Sequence, residues 1–160
     1  MSELIEIERK FLVVSDDYKS EAFKTTRIIQ GFLNSQKERI VRVRITNDHG
    51  FLTIKGKPCE DGISRFEWER EISKTDAEAL MILCEEGRID KIRYEVQSGA
   101  HVFEVDEFFG SNQGLVIAEV ELHHISEVFV KPSWLGEEVT GQIKYYNSHL
   151  VKDPYQNWSH

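Results

Sequence analysis

A chain of 160 residues with 40% hydrophobic content is long enough to bury the core of one domain without disulfides or a structural metal. Its net charge of -8 excludes a general nucleic-acid binder, which needs a basic surface, and no apolar run is long enough for a membrane helix. Cys59 and Cys84 stand in no CxxC or Cys/His cluster, which argues against a zinc site and against a disulfide framework. The opening MSELIEIERKF puts acids where an export signal needs a basic and then an apolar region, so the expected location is cytoplasmic.

Eight segments have strand character: 3–14, 28–34, 39–46, 51–56, 65–73, 91–96, 102–109 and 116–124. Asn47-Asp48-His49-Gly50 reads as a hairpin turn, and 57–64, with Pro58 and Gly62, as a looser connection. Residues 76–85 repeat apolar side chains at helical spacing behind a Ser73 or Thr75 cap, with Gly87 as a stop. Weaker helical signals cover 16–23 and a stretch from 138–140 to about 150, and the tail after Pro154 is expected to fray. No repeat, low-complexity run or linker divides residues 1–160, so a single domain with a tail beyond about 153 is expected.

Residues of equal parity on a strand share a face, so each face can be read directly. Glu6, Glu8 and Lys10 oppose Ile5, Ile7 and Phe11, and Arg42 and Arg44 oppose Val41, Val43 and Ile45. Lys55 opposes Leu52 and Ile54; Arg65, Glu67, Glu69 and Glu71 oppose Phe66, Trp68 and Ile72. The same split recurs for Lys91 and Arg93, for Glu104 and Asp106, and for Glu119 and Glu121. A sheet with one wet face is the commonest cause of such alternation. These faces, however, are almost purely ionic and sorted by sign, and single-sign groups repel unless opposite charge lies among them. A closed sheet with the charged face inward would let Lys and Arg hold phosphate oxygens while carboxylates hold divalent cations. Oxygen ligands without a Cys or His cluster suit Mg²⁺ or Mn²⁺ better than zinc.

Glu6-Ile7-Glu8-Arg9-Lys10 matches the ExExK signature that opens CYTH-family proteins. The resemblance continues through Gln30-Gly31-Phe32-Leu33, Arg42-Val43-Arg44, Leu52-Thr53-Ile54-Lys55-Gly56, Lys91-Ile92-Arg93-Tyr94, Glu104-Val105-Asp106, Ala118-Glu119-Val120-Glu121, and Gly136-Glu137-Glu138-Val139-Thr140 with Tyr145, Asn147 and Leu150. The chain thus resembles the CYTH, or triphosphate tunnel metalloenzyme, family, and among its members the short bacterial inorganic triphosphatases. The resemblance implies a mainly β, α+β fold: a closed eight-stranded antiparallel barrel with a charged interior and a few helices outside. It implies metal-dependent removal of the terminal phosphate of a small-molecule triphosphate, with Mg²⁺ or Mn²⁺ as cofactor.

Residue by residue, Lys10, Arg42, Arg44, Lys55, Arg65, Lys91, Arg93 and Lys144 fall at phosphate-binding positions. Glu6, Glu8, Asp106, Glu119 and Glu121 fall at metal or acidic tunnel positions, and Glu67 or Glu69 could accept the proton of the attacking water, with Lys10 central to catalysis. Phe32 departs from the tyrosine usual in relatives, so a hydroxyl there is lost. Adenylate cyclase chemistry, thiamine or nucleoside triphosphate hydrolysis, and a non-catalytic polyphosphate- or nucleotide-binding module stay open beside this reading. So does a homodimer formed through the outer apolar surface. His123 and His124 point to opposite sides of a strand and are expected at the surface; no GxSxG-like context supports a nucleophilic triad; Trp68, Tyr94 and Phe103 read as packing residues.

Overall fold

The computed structural model describes residues 4–159, so residues 1–3 and 160 of the expected domain, including the start of the first expected strand, lie outside the described residues. Nine strands are present: β1 Ile5–Val13, β2 Lys24–Asn34, β3 Arg39–Thr46, β4 His49–Gly56, β5 Ser64–Ser73, β6 Ile89–Ser98, β7 His101–Phe108, β8 Val116–Glu121 and β9 Leu135–Glu138. They run β5-β4-β3-β2-β6-β7-β8-β1, and β1 pairs with β5 to close an eight-stranded antiparallel barrel. β1 carries three partners. One edge takes β8 over Glu8–Leu12. The other takes β5 through Ile5, Glu6 and Ile7, then β9 through Phe11 and Val13. Between those two, Glu8 N donates to the Ile63 carbonyl at 3.1 Å, and Lys10 N donates to Thr140 Oγ1 at 2.9 Å, so the gap in strand pairing leaves neither amide unsatisfied.

The β3–β4 hairpin closes at Thr46↔His49 over a two-residue turn in which Asn47 takes φ 53°, a conformation that its short polar side chain tolerates. Helix α1 is Tyr18–Glu21 and α2 is Lys74–Ile82, one turn shorter at its C-terminus than the spacing suggests. Ser73 caps α2 by accepting from Asp76 N at 3.0 Å, a contact worth about 1 kcal/mol. Two glycines let α2 lie close on the sheet: a Cβ on Gly50 would meet Ala77 Cβ at 2.6 Å, and one on Gly31 would meet Met81 Sδ at 2.8 Å. The continuous helix expected from 138–140 onward does not form. Glu138 ends β9, a 3₁₀ turn covers Ile143–Tyr145, and α3 is only Asn147–Leu150. Nor is the tail loose: Tyr155 N donates to Asn112 Oδ1 at 2.8 Å and the Trp158 ring packs edge-on against Tyr145.

Three apolar clusters result. One lies outside the barrel under α2, around Val43, Ala77 and Met81. A second lies outside β1, β7 and β8, where Tyr18 and Trp134 cover Phe11, Phe103, Ala118 and Val120. The third includes Phe32, Ile40, Ile89, Phe108 and Ile117, which are residues of the inward parity at the end of β2 and β7 and the start of β3, β6 and β8. The bore is therefore charged along most of its length and apolar at one end, where Tyr145 and Leu150 of the C-terminal segment fill it. Among the described residues no helix is long and apolar enough to cross a membrane.

Candidate active site

A cavity of about 190 Å³ occupies the charged part of the bore. Its basic lining comes from five strands: Lys10 from β1, Arg42 and Arg44 from β3, Lys55 from β4, Arg65 from β5, and Lys91 and Arg93 from β6. Glu6 and Glu8 of β1, Glu119 and Glu121 of β8, Glu104 of β7, and Glu67 and Glu69 of β5 supply the acids. Strand register explains the grouping. Glu8 faces Glu121 and Lys10 faces Glu119 across β1–β8, Glu104 faces Glu119 across β7–β8, and Lys55 faces Glu67 across β4–β5. Acids thus gather on β7, β8 and β1, and bases on β3, β4 and β6. A smaller cavity of about 30 Å³ shares Glu6, Glu8, Lys10, Arg65 and Tyr146 and reaches Thr140 and Gly141 beside the break in β1 pairing.

The carboxylates crowd. Burial and the neighbouring Glu119 and Glu6 push the Glu8 carboxyl well above the ordinary carboxylate range, and it donates a hydrogen bond to Glu119. Burial would also raise Glu119, but Lys10, the Glu8 bond and Arg93 together hold it well below that range. The same division occurs at the other acid pair. Burial is outweighed at Glu6 by Lys55 at 3.0 Å, a hydrogen bond from Glu67 and the Arg65 charge, which hold Glu6 at about 2. Glu67 is raised by burial and by Glu6. Burial and the Glu6 and Glu104 charges raise Glu121. Like charges held this close share protons when no cation lies between them.

The bases crowd as well. Burial, then Arg42 and Arg93, lower Arg44 to about 9, which leaves it charged at neutral pH. Burial lowers Lys91 to about 7 against the pull of Asp106. Among the described residues, Arg42 Nε and Arg65 Nη1 are buried donors with no hydrogen-bond partner. An orphaned guanidinium N–H inside a protein costs about 1–3 kcal/mol, which an anionic acceptor in the cavity would recover.

Two expected site residues lie elsewhere. Asp106 is behind the lining, where its carboxylate accepts from Lys91 Nζ at 2.8 Å and from Arg93 Nε and Nη2 at 2.8 and 2.9 Å. It faces inward as its parity requires, but near the apolar end, where two cations cover it. Lys144 is exposed in the 3₁₀ turn, its ammonium 5.1 Å from the Tyr145 ring and 4.8 Å from the Trp158 ring, outside the cavity. Strand parity has no meaning in that turn.

The lining also contains residues given no role from sequence. Tyr146 is flanked by Lys10 Nζ at 4.9 Å and the Arg65 guanidinium at 5.5 Å. Asn147 accepts from Gln30 Nε2 and Lys91 Nζ, and Gln30 accepts from Arg44 Nε at 3.1 Å. Gln30 could have been found, since it has the parity of Phe32 and lies opposite Arg44. Nothing in the sequence pattern marks Asn147.

Among the described residues no three His, Cys, Asp or Glu groups are already gathered as a cation cage. The donor chemistry nevertheless fits a hard divalent cation. Glu6, Glu8, Glu119 and Glu121 offer only oxygen, and each shared proton marks a place where a cation would relieve carboxylate repulsion.

Comparison with known proteins matches the CYTH domain to residues 4–153. An inorganic triphosphatase of Acetivibrio thermocellus is 51% identical over 96% of this chain and 97% of its own length. One from Nitrosomonas europaea is 34% identical over 92% of this chain and 97% of its own. A solved inorganic triphosphatase structure superposes with a TM-score of 0.65 at 32% identity, covering 91% of this chain and 93% of that one.

Proposed function

This chain belongs to the CYTH domain family, and from that premise we infer that it is an inorganic triphosphatase, hydrolysing the terminal phosphate of tripolyphosphate inside the barrel. The observation that carries the substrate class is the pair of orphaned buried donors, Arg42 Nε and Arg65 Nη1, in a cavity ringed by cations. Relatives of the same name cover nearly the whole chain and support the hydrolytic reading. The cavity, at about 190 Å³, is smaller than the ~300–1,000 Å³ usual for drug-sized ligands, which favours a bare phosphate chain over one bearing a base or thiazole. The face of Tyr146 is already engaged by Lys10 and Arg65, and Phe32, the other aromatic ring of the lining among the described residues, is buried in the apolar cluster.

In this reading Arg42, Arg44, Lys55, Arg65, Lys91 and Arg93 bind the phosphate oxygens and take up charge on the leaving group, which is where most catalysis of phosphoryl transfer resides. Lys10, 3.6 Å from Glu119 and within the acidic wall, is placed to neutralise the phosphate nearest the carboxylates. Glu67, raised by burial and by Glu6, is a stronger proton acceptor than an ordinary carboxylate and suits a base for the attacking water once the proton it shares with Glu6 has left. Glu69, whose Oε2 already accepts from Thr53 at 2.6 Å, is the second candidate. Glu6, Glu8, Glu119 and Glu121 would hold Mg²⁺ or Mn²⁺, which supplies Lewis-acid polarisation of phosphate oxygens and a lowered pKa for bound water. Residues 1–160 act as one cytoplasmic domain on a small-molecule substrate.

The test is phosphate release from tripolyphosphate, ATP and thiamine triphosphate with Mg²⁺, with Mn²⁺ and with chelator. Metal-dependent turnover fastest on tripolyphosphate is expected. Preference for an organic triphosphate overturns the substrate, and no release from any overturns the hydrolase.

A further inference from the structure

Asn147, the first residue of α3, is tied to the bore by two hydrogen bonds on one atom: its Oδ1 accepts from Gln30 Nε2 at 2.7 Å and from Lys91 Nζ at 2.8 Å. The orientation of both amides follows from chemistry. Charged beside Asp106, the Lys91 ammonium only donates, and the Asn147 oxygen faces it. An arginine Nε only donates, so Gln30 must turn its oxygen to Arg44 and its NH₂ to Asn147. In the polar chain Arg44–Gln30–Asn147–Lys91–Asp106–Arg93 every amide therefore has one consistent orientation, with donation converging from both sides on the Asn147 oxygen and on Asp106, and with fully buried Gln30 linking Arg44 to Asn147.

With its oxygen engaged toward Gln30 and Lys91, Asn147 still lines the cavity, and its NH₂ has no protein partner among the described residues. Resting on the triphosphatase reading above, we propose that Asn147 is a substrate-binding residue whose side-chain NH₂ donates to a phosphate oxygen at the inner end of the phosphate chain. Its oxygen also positions Lys91 and, through Gln30, Arg44. The C-terminal segment is then part of the substrate site rather than only a filling for the apolar end.

A neutral donor suits this place better than another base. Burial lowers both Arg44 and Lys91, Arg42 and Arg93 lower Arg44 further, and Arg93 and Arg44 lower Lys91 further, so another cation would carry a cost that an amide does not. An amide adds a hydrogen bond to the anion without adding charge to a wall already crowded with it.

The experiment measures tripolyphosphate affinity by calorimetry in chelator for wild type, Asn147→Ala, Asn147→Asp, Lys91→Met and the Asn147→Ala/Lys91→Met double variant, with melting temperatures for each. Asn147→Asp keeps the acceptor that Gln30 and Lys91 use, replaces the donor by a second acceptor oxygen and adds a negative charge that also opposes the phosphates, so wild-type affinity is the outcome in it that is decisive. It should melt like the wild type yet bind at least about 10-fold more weakly, the usual loss for a hydrogen bond to a charged group. Asn147→Ala should weaken binding by about 10-fold in the Lys91→Met background too, because the donation does not pass through Lys91. Wild-type affinity in Asn147→Asp, or no effect of Asn147→Ala once Lys91 is gone, overturns the assignment. Should the double variant fail to fold, wild-type affinity in either Asn147→Asp or Asn147→Ala still overturns the assignment. Phosphate release by the wild type with metal, run in parallel, judges the hydrolase reading separately from these affinities.

Discussion

Glu8 of β1 lies beside Glu119 of β8, and burial with that neighbouring carboxylate pushes the Glu8 carboxyl well above the ordinary range, which makes it the hydrogen-bond donor of the two. A glutamine at position 8 keeps that donor and cannot ionise. Glu8 is raised above 4.5 in the fold, so the stability it contributes is present at low pH and lost as pH rises through its folded value. In chelator, Glu8→Gln should therefore melt at or above the wild-type temperature, with the gap widening as pH increases. With metal present its phosphate release should fall about 100-fold, the upper range for loss of a metal-site group. Retained metal-stimulated release would remove Glu8 from the cation site.

Asp106 behaves oppositely. Its carboxylate is nearly inaccessible and carries Lys91 and Arg93, and burial is outweighed by those two cations, which hold it below the ordinary range. Asp106→Asn leaves two buried cations short of a counter-charge, which costs about 3–5 kcal/mol. Differential scanning calorimetry should show a melting temperature lower by roughly 10 °C. An unchanged melting temperature would mean that Lys91 and Arg93 find their counter-charge elsewhere.

Arg42 tests the anion site itself. Its Nη2 reaches Thr53 Oγ1 at 3.1 Å and Glu69 at 3.4 Å, while its Nε is unmatched. Arg42→Lys keeps a charge but loses the rigid fork, so tripolyphosphate affinity should drop about 10-fold with little change in melting temperature. Equal affinity in the two proteins would show that the unmatched Nε is not the anchor.

Lys91 gives a pH signature. With a value near 7 it is largely neutral at pH 8, and a bound polyanion favours its charged form. Binding of tripolyphosphate at pH 8 should take up a proton at Lys91, and affinity should fall as pH rises above 7. Calorimetry in buffers of different ionisation heat measures the uptake, and Lys91→Arg, which stays charged, should show only the part that belongs to the ligand. Identical uptake in both proteins would place the titration elsewhere.

The inner face was legible because strand geometry writes it into the sequence. Glu6, Glu8, Lys10, Arg42, Arg44, Lys55, Lys91, Arg93, Glu119 and Glu121 alternate with apolar neighbours, and all reach the cavity. Depth along the bore was not legible, since parity tells inside from outside but not mouth from end. Asp106 passed for an open carboxylate on that account, and Phe32 and Ile117 share its face as packing residues. β9 was missed because Leu135–Glu138 is four residues with a glycine, too short to show alternation. Gln30 and Asn147 escaped because a neutral amide inside a barrel looks like any polar residue until its partners are known. Lys144 was placed at the site by the family resemblance alone; its backbone is a turn, where no periodicity shows which way a side chain faces.

β1 occupies the first described strand, yet its partners lie at Ser64–Phe66, Ile117–Glu121 and Leu135–Glu138. During synthesis its pairing edge for β8 must wait until more than a hundred further residues have emerged, so the growing chain can close β2 to β7 into a curved sheet but not into a ring. Such distant pairing is slow, and an unpaired strand edge recruits other chains. A ribosome product that stops before β8 therefore carries Glu6, Glu8 and Lys10 without Glu119 and Glu121. It has every base of the cavity lining but lacks two of its acids, and aggregation rather than a weakened enzyme is its expected fate.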